Sequence, residues 1–178
     1  MYFSSLKDNI MNSNFLPHLD RATLTELHEE GKYDELYEQL VEPLHTELYR
    51  RQNFDFIEEL SPGQQLILAY DYLRTQVLQG GFIQFIQNGY VGLLPSIIEQ
   101  LILVGANDMA NVLDDVLKVY VLNRELLNRP TTVEEFAKLY DEFKEFEIID
   151  ERYHVLNLAT EKMMLDYAAA HLEEFTAS

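Results

Sequence analysis

Apolar residues recur along this chain with a helical period. Between Tyr33 and Leu48 they fall at i, i+3, i+4 and i+7 spacing, which places them on one face of a helix. Pro43 interrupts that face and is expected to kink or split the helix, because proline lacks a backbone donor. No segment alternates strictly between apolar and polar residues with turn residues at both ends. The sequence therefore predicts an all-α fold, a single compact domain of about seven or eight helices.

Capping residues locate several helix ends in the middle of the chain. Ser61-Pro62 is a typical start, with serine as N-cap and proline at the first helical position. The helix is expected to run from about Gln64 to Gln79 and to end at Gly80-Gly81, since glycine readily adopts the left-handed conformation of a C-terminus. A short helix, Phe82 to Asn88, follows and is closed by Gly89.

The second half continues in the same way. Leu93 to Val104 is nearly all apolar and is predicted to be the central helix. Thr131-Thr132 followed by Glu134-Glu135 has the spacing of a capping box. Ile148-Ile149 is predicted to lead into a final helix from about Glu151 to Glu174. We expect a loose N-terminal segment over residues 1–15 and one helical domain over residues 16–178.

The charge is strongly unbalanced. The chain has 31 Asp and Glu against 13 Lys and Arg, a formal net charge of -18, whereas solubility needs a magnitude of only about 2–8 in a small domain. Because 47% of the residues are hydrophobic, the charge does not indicate disorder. Such a field repels phosphate and attracts basic proteins. It is consistent either with electrostatic recognition or with a merely solvated acidic surface.

The acids form several candidate rows, of which the one between Glu134 and Glu151 is the densest. Two smaller candidate rows are Glu26, Glu29 and Glu30, and Asp114 and Asp115. Carboxylates at i and i+4 on a helix lie about 5–6 Å apart, so rows of them can approximate a track of DNA phosphates. Lys138 and Lys144 interrupt the second row, which favours the alternative of a solvated face with internal ion pairs. The first acidic row is Asp34, Glu35, Glu38 and Glu42, and the second acidic row is Glu134, Glu135, Asp141, Glu142, Glu145, Glu147, Asp150 and Glu151.

Several classes of function find no support in the sequence. There is no cysteine, no glycine-rich phosphate loop and no Gly-x-Ser-x-Gly nucleophile motif, so we expect neither an enzyme nor a cofactor. No basic patch interleaved with aromatic residues is present, so direct nucleic-acid binding is not expected. Neither a signal peptide nor a membrane-spanning run is apparent, which predicts a cytoplasmic protein without a membrane partner.

A metal-binding helical bundle is an alternative. Di-iron bundle proteins use Glu-x-x-His pairs, because i, i+3 spacing directs both ligands to one side of a helix. Glu42 and His45 form one such pair, Glu151 and His154 form another, and Glu99 lies between them inside an apolar helix. Glu99 is expected to be partly exposed rather than a buried carboxylate. We therefore predict that no metal is bound, and we keep the metal-binding bundle as an alternative.

We call residues 80–88 the glycine corner, because they begin with Gly80-Gly81. Phe82 and Phe85 are three residues apart and should point into a core, while Gln84 and Asn88 supply amides for free backbone groups. The structural interpretation is a rigid corner between two core helices. The alternative is a small-ligand pocket lined by Phe82, Gln84 and Asn88.

The glycine corner resembles the signature of the bacterial family named after DNA mimic protein nineteen. Tyr70 to Leu73, Leu93 to Pro95 and Tyr167 to Phe175 fit the same pattern, and the resemblance covers about residues 54–175. The named member is an acidic helical protein whose carboxylates imitate DNA phosphates and occupy the DNA-binding face of a transcription factor. The resemblance implies a non-enzymatic interaction protein with a basic or DNA-binding partner, such as a transcription factor or nucleoid protein.

Overall fold

The computed structural model describes residues 15–177. These residues contain eight α-helices, three short 3₁₀ helices and no β-strand, which confirms the predicted fold class. The predicted loose segment, residues 1–15, lies outside the described residues except for Phe15. The 3₁₀ helices are Phe54–Glu59, Val91–Leu93 and Leu172–Glu174. The α-helices are α1 (Arg21–Glu29), α2 (Tyr33–Arg51), α3 (Pro62–Gln87), α4 (Leu94–Leu103), α5 (Asn107–Leu122), α6 (Arg124–Leu127), α7 (Val133–Glu142) and α8 (Glu145–Ala170).

The chain divides into two compact units by its internal contacts. Among the described residues, unit 1 is formed by residues 15–68 and 161–177, and unit 2 is formed by residues 69–160. Unit 1 is therefore built from two stretches that are distant in sequence, whereas unit 2 is one continuous stretch. The single domain expected over residues 16–178 stays a prediction.

In unit 1, α1 packs against α2. Leu36, Leu40 and Leu44 of α2 are almost completely buried, as the apolar spacing predicts. α2 runs unbroken through Pro43, so the chain does not split there. Burial of Leu40 and Leu44 on both sides of the proline holds the two turns in one helix despite the missing backbone donor.

The start of α3 is fixed by reciprocal side-chain caps. The Gln64 N–H donates to Ser61 Oγ (3.2 Å), and the Ser61 N–H donates to Gln64 Oε1 (2.9 Å), which confirms the predicted N-cap. A third acceptor comes from the chain's other end. Glu174 is 1% exposed, and its Oε2 accepts the Gly63 N–H (2.9 Å).

The environment of Glu174 explains how a buried carboxylate is tolerated. The Tyr167 hydroxyl donates to Glu174 Oε1 (2.5 Å), so each carboxylate oxygen accepts a hydrogen bond. The carboxylate also lies at the N-terminus of α3, where the helix dipole favours negative charge. Burial is the main cause that raises the pKa of Tyr167, and the hydrogen bond to Glu174 and the charge of Glu174 raise it further. Glu174 thus fastens the C-terminal residues to the beginning of α3.

In unit 2, α4 packs against α5 across a short connection. α7 begins with the predicted capping box, in which Thr132 Oγ1 accepts the Glu135 N–H and the Glu135 carboxylate accepts the Thr132 N–H. The predicted start of the final helix near Glu151 is wrong, because α8 begins at Glu145 and ends at Ala170.

The earlier start of α8 has a visible cause in the packing. Phe146, Ile149 and Tyr153 are buried at spacings of three and four residues, which is the period of a helix. Ile148-Ile149 therefore belongs to the helix and does not lead into it. The residues after Ala170 continue as the short 3₁₀ helix Leu172–Glu174.

Candidate functional site

The glycine corner is a sharp bend within α3. The backbone leaves the helical conformation at Gly80 (φ -156°) and Gly81 (φ +72°), which confirms the predicted helix end, and the helix resumes at Phe82. Of these two glycines, only Gly81 has a φ in the left-handed region that side chains disfavour. A Cβ at this position would lie 2.3 Å from Asp150 Oδ2. Glycine is thus required at residue 81 by both conformation and space.

Asp150 of α8 caps the helix that restarts after the corner. Its Oδ1 accepts the Phe82 N–H at 2.9 Å, which satisfies a backbone donor that the glycine residues cannot satisfy with side chains. Burial raises the pKa of the half-buried Asp150 carboxyl, while the Phe82 bond and the charge of His154 oppose the rise. Burial, with a further contribution from the charge of Asp150, raises the pKa of Tyr140 to about 12.

The corner is filled by its own side chains. Phe82 and Phe85 are fully buried, and the Phe82 ring meets Tyr153 edge-on with centroids 5.6 Å apart. Gln76 Oε1 accepts from both Gln84 Nε2 (3.2 Å) and Asn88 Nδ2 (2.6 Å). The amides that would line a ligand pocket are therefore bonded to the protein itself. This arrangement favours the structural interpretation of the corner.

The capping role of Asp150 was missed from the sequence, where this residue was grouped with the surface carboxylates. A helix that restarts after two glycines has no capping side chain of its own, so the sequence did show that an acceptor was needed. It did not show which residue supplies it, because Asp150 lies 68 residues away from Phe82. The sequence likewise did not show that Glu174 accepts the Gly63 N–H, because the two residues are 111 positions apart in the chain.

The first acidic row lies exposed on α2. All four of its carboxylate residues are exposed, and Glu35, Glu38 and Glu42 share one face because they are three and four residues apart. Within residues 15–177, no member of this row has a salt bridge to Lys, Arg or His. The row therefore faces solvent without salt bridges, although the charge of Glu35 also acts on Lys32 at the start of α2.

The second acidic row divides into two groups. Asp150 and Glu135 bond backbone N–H groups, and Asp150 is half-buried. Lys138 and Lys144 are exposed and make no salt bridge in the part of the chain that the structure describes, so the internal ion pairs of the solvated-face alternative are not formed there. The remaining members are exposed and, in the same range, have no cationic partner: Glu134, Asp141, Glu142, Glu145, Glu147 and Glu151.

Many carboxylates outside the two rows are paired. Glu47 contacts both Arg50 and Arg51, and the hydrogen bonds from these two arginines lower its pKa to about 2. A hydrogen bond from Arg152 is the main cause that lowers the pKa of Asp115. The other pairs are Glu30 with Lys32, Glu59 with Arg51, Asp71 with Arg74, Asp114 with Lys118, and Asp166 with Lys162 and His28.

The residues of the metal-binding alternative do not form a ligand cluster. Among residues 15–177, no group of three or more His, Asp or Glu side chains is placed to hold a metal ion. Glu42, Glu99, Glu151 and His154 are exposed, and His45 is half-buried. The exposure of Glu99 agrees with the prediction of one polar position on a mostly apolar helix.

Within residues 15–177, no helix has a stretch that is both long and apolar enough to cross a bilayer.

The fold and this surface define an all-α protein with exposed rows of carboxylates that lack cationic partners. The DMP19-like protein family matches residues 58–171, more than half of the chain, and the chain belongs to this family. The matched range includes the glycine corner, which confirms the resemblance seen in the sequence, and the second acidic row. It does not include the first acidic row. No protein with a curated description matches the chain.

Proposed function

We propose that this protein is a non-enzymatic DNA mimic, which binds the DNA-binding face of a basic protein through its exposed carboxylates. The partner would be a transcription factor or a nucleoid protein, and the cytoplasmic location expected from the sequence is part of the proposal. Family membership supports this function, since the family is named for DNA mimicry.

The observation that carries the proposal is that the exposed carboxylates of the two rows form no salt bridge among residues 15–177. The salt bridges of the described residues join other acids to Lys, Arg or His, as Arg50 and Arg51 are joined to Glu47. The first acidic row, which lies within about four turns of Glu47 on the same helix, has no salt bridge among the described residues. A folded surface that leaves its carboxylates unpaired presents a repeated negative charge to a basic partner.

The spacing of the charges supports the same function. Glu35, Glu38 and Glu42 follow one side of α2 at about 5–6 Å from each to the next. Exposed charges of this kind are screened by salt, with a Debye length of about 8 Å at physiological ionic strength. Binding is therefore expected to weaken steeply as salt is raised, as protein binding to DNA itself does.

Capture of a native partner tests this function. The full chain, immobilised and exposed to native lysate at low salt, is expected to retain a DNA-binding protein that duplex DNA displaces. Replacing Glu35, Glu38 and Glu42 by Gln should reduce the retained amount, because three charges of the row are lost. A second variant, with Glu142, Glu145 and Glu147 replaced by Gln, tests the other row in the same way.

A matched control separates the rows from net charge. Replacing the paired acids Glu47 and Glu59 by Gln and Asp166 by Asn removes the same number of charges, but none of these residues belongs to a row. This control should retain the partner nearly as well as the native chain. The proposal is wrong if duplex DNA fails to displace the retained protein, or if the control and the row variants lose it equally.

A further inference from the structure

α8 carries a second apolar face in addition to the one it buries. Ile148, Val155 and Leu158 are 63%, 81% and 75% exposed. They are separated by seven and three residues, so a helix places them along one side. We call these three residues the α8 apolar stripe. Phe146 and Tyr153 of the same helix are fully buried, so the stripe is additional to the face that builds the core.

Exposed apolar residues are ordinary when they are scattered, but a row of them on one helix face usually marks an interaction site. Three large aliphatic side chains that stay in water forgo the favourable transfer of their surface to an apolar environment. A partner surface that covers the stripe would recover part of this free energy. Its occupant must also suit the charges around it.

Carboxylates frame the stripe. Glu151 lies between Ile148 and Val155 on the same face, at spacings of three and four residues, and Glu147 lies one turn before it. Both glutamates are exposed and have no salt bridge among residues 15–177. A second copy of this chain would bring these carboxylates close to like charges, which costs free energy. A partner with apolar residues flanked by cations fits both features.

We propose that the α8 apolar stripe, together with Glu147 and Glu151, binds the apolar face of a basic amphipathic helix in the partner protein. The inference rests on the proposed function, because it assumes a basic partner, and it specifies how that partner is held. Helices are recognised in this way through anchors at i, i+3, i+4 and i+7. The apolar contact adds a part of the affinity that salt does not screen, unlike contacts between charges alone.

Two synthetic peptides of identical composition test the inference on the full chain. One has Leu at i, i+3, i+4 and i+7 and Lys elsewhere, so it forms a basic amphipathic helix, and the other has the same residues scrambled. We expect the amphipathic peptide to bind about tenfold more tightly, a difference of about 1.4 kcal/mol, as measured by fluorescence anisotropy. Its advantage should persist at high salt.

Three variants locate the binding. Replacing Val155 and Leu158 by Ser should abolish the difference between the two peptides, whereas Val133→Ser, which alters an 88% exposed residue of α7, should preserve it. Replacing Glu147 and Glu151 by Gln should weaken both peptides, since each relies on its lysines. Because all these side chains are exposed, helicity by circular dichroism should match that of the native chain.

Three results would overturn the inference. They are equal binding of the two peptides, an advantage that survives replacement of Val155 and Leu158, and a native dimer in sedimentation that these replacements dissociate. The last result would show that a second copy covers the stripe. Failure of the proposed function is distinguishable, because it appears as a retained protein that duplex DNA does not displace, whatever the two peptides do.

Discussion

Glu174 and the first acidic row show two different situations of a carboxylate within unit 1. Glu174 is 1% exposed, and its oxygens accept hydrogen bonds from Gly63 and Tyr167 at the start of α3. The carboxylates of the first row are exposed on α2 and have no cationic partner in the described part of the chain. Glu174 therefore accepts hydrogen bonds within the fold, whereas the carboxylates of the first row face solvent.

The difference shows why the net charge of -18 is a poor measure of the binding surface. Carboxylates such as Glu174, Asp150 and Glu47 have structural partners, so they are not available to a basic protein. What a partner would meet is the set of exposed carboxylates without salt bridges, and the two acidic rows are the part of this set in which they lie at close helical spacing. Stability measurements can separate the two kinds, because only the partnered carboxylates should matter to folding.

The largest effect is expected at Glu174. Glu174→Ala leaves the Gly63 N–H and the Tyr167 hydroxyl without their acceptor, and each such loss costs about 1–3 kcal/mol when the group is buried. Because Tyr167 is only half-buried and its hydroxyl loses less, we expect the free energy of unfolding, measured by urea denaturation, to fall by about 2–4 kcal/mol. The matched change Glu42→Ala should alter it by less than about 0.5 kcal/mol. Equal losses for both variants would contradict the distinction.

The next effect concerns the carboxylate of Asp150 and the glycine that approaches it. Gly81→Ala forces a side chain into the left-handed region and brings its Cβ to 2.3 Å from Asp150 Oδ2. The backbone conformation alone should lower the free energy of unfolding by about 1–3 kcal/mol, with the steric contact adding to this loss. The measurement is again urea denaturation.

Gly80→Ala is the control for this change. Its φ of -156° suits any residue, so alanine is not strained by the backbone there. Its Cβ would lie 2.0 Å from Gln84 Oε1, which can move away, and 2.9 Å from Gln84 Cβ, which can shift only slightly, so a steric cost remains. We therefore expect a clearly smaller loss than for Gly81→Ala. If the two alanine variants were equally destabilised, the requirement for glycine at residue 81 would be a general property of the bend and not of its contact with Asp150.

The smallest effect is expected at Glu47, in the last part of α2. Its two arginine partners lower its pKa from the usual 4.5 to about 2 in the folded protein. The folded state therefore binds this proton less readily than the unfolded state, so the contribution of Glu47 to stability is present above pH 4.5 and is lost as the pH falls towards 2. Solvent screening keeps this contribution small.

Thermal unfolding across this pH range measures the contribution. The native chain should lose more stability between pH 4.5 and pH 2 than Glu47→Gln, because the variant has no carboxylate to protonate there. Glu42→Gln is the comparison, because Glu42 has no salt bridge among residues 15–177. This substitution should change the dependence of the unfolding temperature on pH less than Glu47→Gln does. Parallel slopes for the native chain and Glu47→Gln would show that the arginine pairs do not couple to folding.

Local features of the fold were predictable from the sequence, and distant ones were not. Ser61 and Thr132 were identified as caps, and Gly80-Gly81 as a helix end, because each acts on neighbouring residues. The early start of α8 was missed although the spacing of Phe146 and Ile149 indicated it. Neither the capping by Asp150 nor the burial of Glu174 could be found, because both depend on where the chain brings remote residues together.

The hydrogen bond between Gly63 and Glu174 also has a consequence for the order of folding during synthesis. Unit 2 is continuous in sequence, over residues 69–160, so all its contacts become available as soon as the ribosome has released that stretch. The start of α3 waits for an acceptor that is translated 111 residues after Gly63. Unit 1 is therefore completed last, after the stretch that begins at residue 161 has left the ribosome.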